Sequence, residues 1–326
     1  MIILSNDIFI SVREELDQLE DRLLEAVKTP LPLITDVGTH LAGSGGKRLR
    51  PALCFLAAHC SDKYKCSHIM PLAVAVEMVH MASLIHDDVI DEADLRRGRP
   101  TVNSVWGNRV AILSGDYMFA QAFQVVYDEH YGEAVALKMA QLIGALTSGE
   151  IIQDAAAFSG SCTEQEYYER IEKKTAGFLG ICCELGAMAS GTDKAVSDAL
   201  YKYGRNLGMA FQITDDVLDV TGTRRVIGKP AGNDIRQGVL TLPVIRAMEV
   251  SSDRDELKRI VTDEAMTEEM VARALDIVRA SDGIEASRQK AEAYLKAAMA
   301  AIEGIVPETM LSGFRRVVDF VGSRDY

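Results

Sequence analysis

Apolar residues recur along most of the chain every three or four positions, the spacing that gathers them on one face of an α-helix. In VREELDQLEDRLLEAVK, Leu16, Leu19, Leu23, Leu24 and Val27 form one such face. Ile284, Ala291, Leu295, Ala298 and Ile302 form another near the C-terminus. Alternating β-branched runs joined by Asn-Gly turns are missing, so strands are not expected. No proline lies between Pro100 and Pro230, and that span is rich in Ala, Leu, Ile, Met and Gln, all good helix formers. The pattern predicts helices near 11–28, 50–60, 71–97, 104–128, 133–158, 164–190, 195–221, 238–250, 254–262, 267–279, 283–304 and 308–321. An all-α protein with a single domain over residues 1–326 is expected.

Composition narrows the function. The 326 residues are 48% hydrophobic and 25% charged, enough to bury a large core. The formal net charge of −13 argues against nucleic acid as a partner, because phosphate contacts need clustered Lys and Arg. Acid excess suits divalent cations where carboxylates converge. Six cysteines are too sparse for a disulfide scaffold, and Cys60/Cys66 and Cys182/Cys183 match no zinc spacing, so reduced thiols are expected. MIILSNDIFI lacks the basic region of a signal peptide. No uninterrupted apolar run reaches the ~18 residues of a membrane span, so a cytoplasmic protein is expected.

Charge is concentrated in LIHDDVIDEADLRRGRP, directly after an apolar helix. At about 100° per residue, Asp87 and Asp91 stack on one helix face with Asp88 beside them. His80, Ser83 and Asp94 fall on the same stripe. Carboxylates on adjacent turns raise each other's pKa unless a cation sits between them. Magnesium fits, since it takes hard oxygen ligands and leaves positions for water and phosphate. One DDxxD is also what a solvated acidic helix end looks like. The second, in FQITDDVLDVTG, changes the odds: Asp215, Asp216 and Asp219 repeat the spacing, with Gln212 on the stripe of Asp219. Two such triplets closing two apolar helices point to two metal-binding faces across one cavity, with a diphosphate as ligand.

A diphosphate also needs cations. GSGGKRLRP supplies Lys47, Arg48 and Arg50 after a glycine-rich turn, without P-loop spacing. Arg96 and Arg97 follow the first acidic cluster, Lys173, Lys174 and Thr175 lie in ERIEKKTAGFLG, and Lys229 in VIGKPAGND. Each alone reads as surface charge; together they describe two anionic groups, one bridged by metal and one held by Lys and Arg alone.

GGKRLRP, HxxxLIHDDVIDxxxxRRG, KTA, FQITDDVLD and GKPxGxD, in this order, resemble the trans-isoprenyl (polyprenyl) diphosphate synthase family from about residue 30 to the end. GKPAGNDIRQGVLTLP and the terminal RDY are most similar to the catalytic large subunits of bacterial heptaprenyl diphosphate synthases. The resemblance implies the isoprenoid synthase fold, an antiparallel helix bundle around a deep central cavity, usually dimeric. It implies an enzyme that condenses an allylic prenyl diphosphate with isopentenyl diphosphate. Several Mg2+ ions per active site would be held by Asp87, Asp88, Asp91, Asp215, Asp216 and Asp219, the first and last of each motif being the leading direct ligands. Lys47, Arg50, His80 and Arg97 would bind isopentenyl diphosphate; Arg96, Lys174, Thr175, Gln212 and Lys229 would bind the allylic diphosphate. Many relatives carry a lysine where this chain has Val239.

Ala82 and Ser83 stand where short-chain relatives put aromatic side chains, with Met78 and Val79 a turn deeper. Small residues there imply an open tunnel and a long product, a heptaprenyl-type precursor of a (mena)quinone side chain, against the alternative of a farnesyl or geranylgeranyl product. The implied partners are the two substrates, a second copy or a small subunit, and the membrane peripherally for product release only. A class I terpene cyclase would not need Lys47, Arg50 and His80; a metal phosphohydrolase would not need the second DDxxD; a regulatory subunit tends to lose its aspartates, and all six are present.

Overall fold

The computed structural model describes residues 8–222 and 231–323. The chain divides into two units. Among the described residues, the first is built from 8–143, 179–202 and 302–317, the second from 144–178, 203–222, 231–301 and 318–323.

In the first unit a 3-10 turn leads into α1 (Arg13–Ala26), α2 (Pro32–Ala42), α3 (Leu49–Ala58) and α4 (Cys66–Ile90). A two-residue hairpin follows, β1 (Leu95–Arg96) antiparallel to β2 (Arg99–Pro100). Then come α5 (Val102–Trp106), α6 (Asn108–Asp128) and the first half of α7 (Glu133–Ala156). α4 packs along α6 and touches α1 and α3. Ile69, Leu72, Val76, Val79, Ala82 and Ile85 of α4 are wholly buried, as befits a core helix that is apolar nearly all round.

α2 was not foreseen: Pro30 and Pro32 read as breakers, yet Pro32 occupies the first helical position, where its missing N–H costs nothing. α4 begins at Cys66 rather than 71, with Pro71 in its second turn. It also ends at Ile90 rather than 97. Asp91 is the C-cap and Glu92 turns left-handed at φ 48°, so Asp94, Arg96 and Arg97 leave the helix, and Asp94 is not on the His80 stripe. The hairpin forms because Arg97 (φ 53°) and Gly98 (φ 75°) both adopt the left-handed region that a two-residue turn requires. Arg-Gly lacks the Asn-Gly signature, so the pattern gave no warning.

The second unit contains α8 (Glu164–Ile171), a π turn (Glu172–Ala176), the start of α9 (Gly177–Ala189) and the C-terminal part of α10 (Lys194–Thr221). It continues with α11 (Asn233–Arg236), α12 (Leu242–Val250), α13 (Arg254–Val261), α14 (Glu268–Ala280) and α15 (Gly283–Ile302). The last helix, α16 (Glu308–Gly322), belongs mostly to the first unit. A capping box, Thr163 with Glu166, starts α8. The single helix expected over 164–190 is thus interrupted by the π turn. A turn with one extra residue leaves the apolar spacing on either side locally helical, so periodicity does not reveal it.

All six cysteines are free thiols, with Cys54, Cys182 and Cys183 buried. Among the described residues, α4 and α7 are each long and apolar enough to cross a membrane, although neither is an uninterrupted apolar run. α4 is mostly buried, whereas α7 exposes Leu137, Ile151 and Ile152.

Candidate active site

In the first unit the glycine-rich turn feeds α3. Arg48 sits at φ 46°, a left-handed conformation costly for a residue with a side chain. The geometry turns its guanidinium inward. Nε and Nη2 donate to Glu20 at 2.6 and 2.9 Å, Nη1 to Glu77 at 2.8 Å, and Nη2 to the Ala42 carbonyl at 3.1 Å. Arg48 is buried with all three of its side-chain nitrogens engaged, while Lys47 and Arg50 on either side of it are half-buried. Arg97 donates to the Gly45 carbonyl, tying the hairpin to the same turn.

Along α4, His80, Ser83 and Asp87 are half-buried and recur at three- and four-residue intervals, so they share one partly accessible stripe. Met78, Val79 and Ala82 lie off it and are buried. Of the four chain-length candidates, only Ser83 therefore lies on the accessible stripe. Burial holds the His80 imidazole well below its ordinary pKa, and the charges of Arg50, Arg97, Arg96 and Arg48 add to the effect. His80 is a neutral ring that can donate one N–H to an anion.

The carboxylates of the first motif are unequal. Asp91 is exposed, Asp87 half-buried and Asp88 buried. Arg96 Nε donates to Asp88 Oδ1 at 2.8 Å. Asp87 and Asp91 are thus the more accessible oxygens, with Asp88 engaged by Arg96. His86 points elsewhere, its Nε2 3.0 Å from the Ile112 carbonyl on α6.

In the second unit one hydrogen-bonded chain links the π turn to the second motif. Thr175 Oγ1 donates to Gln212 Oε1 at 2.8 Å, and Gln212 Nε2 donates to Asp216 Oδ1 at 2.9 Å. The Tyr167 hydroxyl donates to Asp216 Oδ2 at 2.6 Å. Burial pushes Asp216 above the usual carboxylate range, although these hydrogen bonds and the nearby Arg170 oppose it. Close approach makes the arrangement possible: a Cβ on Gly208 would lie 2.5 Å from the Ala176 Cα.

Asp219 is also buried. Its Oδ1 accepts from the Asn233 amide at 3.1 Å and its Oδ2 from the Asp234 amide at 3.2 Å, so it closes the N-terminus of α11. Both oxygens of Asp219, expected with Asp215 as a leading direct metal ligand, thus accept backbone amides. Asp215, half-buried, is the accessible carboxylate. Lys174 Nζ lies 2.6 Å from Glu150 Oε2. Lys229 lies outside the described residues. The half-buried Val239 donates its amide to the Asp234 carbonyl at 2.8 Å.

Sequence reasoning missed Glu20, Glu77, Glu150 and Tyr167. Glu77 had a signal: one carboxylate inside the apolar run AVAVEMVH must find a cation when buried. The others had none, because ordinary polar residues on amphipathic helices look alike.

Among the described residues, no three His, Cys, Asp or Glu side chains converge as a ready-made metal cage. The accessible carboxylate oxygens of Asp87, Asp91 and Asp215 are hard donors of the kind that suit a divalent cation.

Residues 31–278 match the family model described as polyprenyl synthetase. Heptaprenyl diphosphate synthase component 2 of Bacillus subtilis (strain 168) is 36% identical over 315 residues, 97% of this chain and 89% of that protein. A polyprenyl synthase from Caulobacter crescentus CB15, solved with calcium and isoprenyl diphosphate, superposes with a TM-score of 0.92 at 31% identity, covering 99% of this chain and 98% of the other. A heptaprenyl diphosphate synthase from Staphylococcus aureus gives 0.91 at 32% identity, covering 97% and 99%. With its acidic motifs, its basic turn and this all-helical likeness, the chain belongs to the polyprenyl synthetase family, prenyltransferases of the isoprenoid synthase fold.

Proposed function

We propose that the chain is a Mg2+-dependent trans-polyprenyl diphosphate synthase that elongates an allylic diphosphate with isopentenyl diphosphate to a long, heptaprenyl-type product. The observation that carries this reading is the repeated acidic motif, each copy having an accessible aspartate (Asp87 and Asp91; Asp215) beside one fixed by hydrogen bonds (Asp88; Asp216). The long product is supported by Ser83, a small residue on the accessible stripe of α4, and by the names of the Bacillus and Staphylococcus relatives.

The accessible aspartates would hold magnesium, which supplies charge neutralisation to the diphosphate leaving group. Lys174 and Arg96 donate N–H groups to that diphosphate as its bond to C1 breaks, leaving an allylic cation. Thr175 presents an oxygen beside Gln212, whose amide is oriented from both ends. Lys47, Arg50, Arg97 and neutral His80 hold the second diphosphate. Its double bond attacks the cation, a carbon–carbon bond forms, and the proton lost goes to the departing diphosphate. No serine or cysteine nucleophile is required.

One catalytic domain spans both units; the unit boundaries at 143/144, 178/179 and 202/203 fall inside helices α7, α9 and α10, which supports that reading. The chain acts in the cytoplasm as a catalytic subunit beside a small partner. The component 2 name of the Bacillus relative supports the partner, and exposed Leu137, Ile151 and Ile152 on α7 supply apolar surface for association.

The test is incubation with labelled isopentenyl diphosphate, Mg2+ and farnesyl or geranylgeranyl diphosphate, with products sized by chromatography, with and without cell extract. Heptaprenyl-length product that needs extract is expected. Consumption of the allylic diphosphate alone would indicate a cyclase. Phosphate release without chain growth would indicate a hydrolase. Full activity of the purified chain would remove the partner.

A further inference from the structure

Lys174 lies in the π turn and Glu150 on α7, both within the second unit. The two backbones approach closely: a Cβ on Gly149 would lie 3.2 Å from the Lys174 amide nitrogen. That absence of a side chain lets the next residue reach across. Glu150 Oε2 meets Lys174 Nζ at 2.6 Å, and Gln153 Nε2 donates to Glu150 Oε1 at 3.2 Å. The Glu150 side chain is 15% exposed and that of Lys174 31%. Glu150 is thus steadied at both oxygens, by an amide on its own helix and by the ammonium.

An ammonium group carries three N–H donors on a flexible four-carbon stem. One directed to a fixed carboxylate leaves two for a ligand and restricts the stem before the ligand arrives. Preorganisation of this kind raises affinity by removing an ordering cost from binding.

We propose that Glu150 is a positioning residue that holds Lys174 in the orientation in which it receives the allylic diphosphate. The inference rests on the reading of Lys174 as a diphosphate ligand. Glu150 acts through its oxygen as an acceptor, so glutamine, which keeps an acceptor of the same reach, replaces it in part. Alanine does not.

The experiment measures binding to the full-length chain by calorimetry, with Mg2+ and farnesyl thiodiphosphate as the allylic probe. Isopentenyl diphosphate is titrated separately. Glu150→Ala is expected to weaken the allylic probe by about tenfold, the scale of one charge-assisted hydrogen bond. Glu150→Gln should recover most of that loss, and isopentenyl diphosphate should bind each variant as it binds the wild type. Unchanged or tighter allylic binding in Glu150→Ala overturns the proposal, as does no recovery by Gln. So does an equal loss for both ligands, which would indicate a general structural role. Lys174→Ala separates the two levels: if it leaves allylic binding unchanged, the reading of Lys174 falls, and the role of Glu150 falls with it.

Discussion

The carboxylate of Asp219 accepts the backbone amides of Asn233 and Asp234 at 3.1 and 3.2 Å, so the last acid of the second motif holds a loop rather than facing outward. Asp215→Asn is therefore expected to raise the Mg2+ concentration for half-maximal activity far more than Asp219→Asn. In Asp219→Asn the amide keeps one acceptor and loses the other, so the chain around residues 231–236 should become more sensitive to protease while the Mg2+ midpoint stays near wild type. Equal Mg2+ shifts in the two variants would return Asp219 to the metal.

Arg48 should prove structural although it sits in the basic motif. Its side chain is 7% exposed and that of its partner Glu77 4%. Arg48→Ala leaves Glu77 buried without its cation and is expected to cost about 3–5 kcal/mol in chemical denaturation. Arg22→Ala, which breaks the exposed pair with Glu25, should cost no more than about 1 kcal/mol.

Product length should respond to Ser83 more cleanly than to Ala82. Ser83→Phe places a ring on the stripe shared with His80 and Asp87 and should shorten the product. Ala82 is wholly buried, so Ala82→Phe should also lower stability by about 1–3 kcal/mol through overpacking. If the double variant made product of unchanged length, the tunnel would not run along this face of α4.

A pH-dependent contribution to stability is expected at the joint between α1 and α3. Burial pushes Glu15 up, but His59 at 2.7 Å, Glu15's own backbone and the Tyr64 hydroxyl at 2.9 Å outweigh it and bring the carboxyl net below its ordinary 4.5. A lowered folded pKa means that the unfolded chain takes up the proton first. The stabilisation is then present above about pH 4.5 and lost as pH falls through the lower folded value. Urea titrations from pH 7 to 3 should show the advantage over Glu15→Gln shrinking in that acidic window.

Helices with continuous amphipathic spacing, such as α1 and α15, were legible because core burial selects the period. The paired DDxxD motifs and their basic companions were legible because their chemistry is local in sequence. What escaped depended on long-range partners. Arg48 and Lys47 look equivalent in GGKRLRP, and it is Glu20 and Glu77, 28 and 29 positions away, that single Arg48 out. Asp219 looks equivalent to Asp215 until the amides at 233 and 234 are in place. The hairpin and the end of α4 depend on left-handed backbone at Glu92 and Arg97, which nothing in their side chains announces.

The π turn at Glu172–Ala176 makes the phase of the chain a chemical variable. Deleting one residue there would leave a continuous α-helix with good spacing on both sides, rotated by about 100° between its halves. Arg170 upstream donates to the Leu240 carbonyl at 2.6 Å, while Thr175 downstream reaches Gln212. An α-helical count could keep one of these bonds and not the other. A length change that a surface loop would absorb silently would here trade anchorage for chemistry.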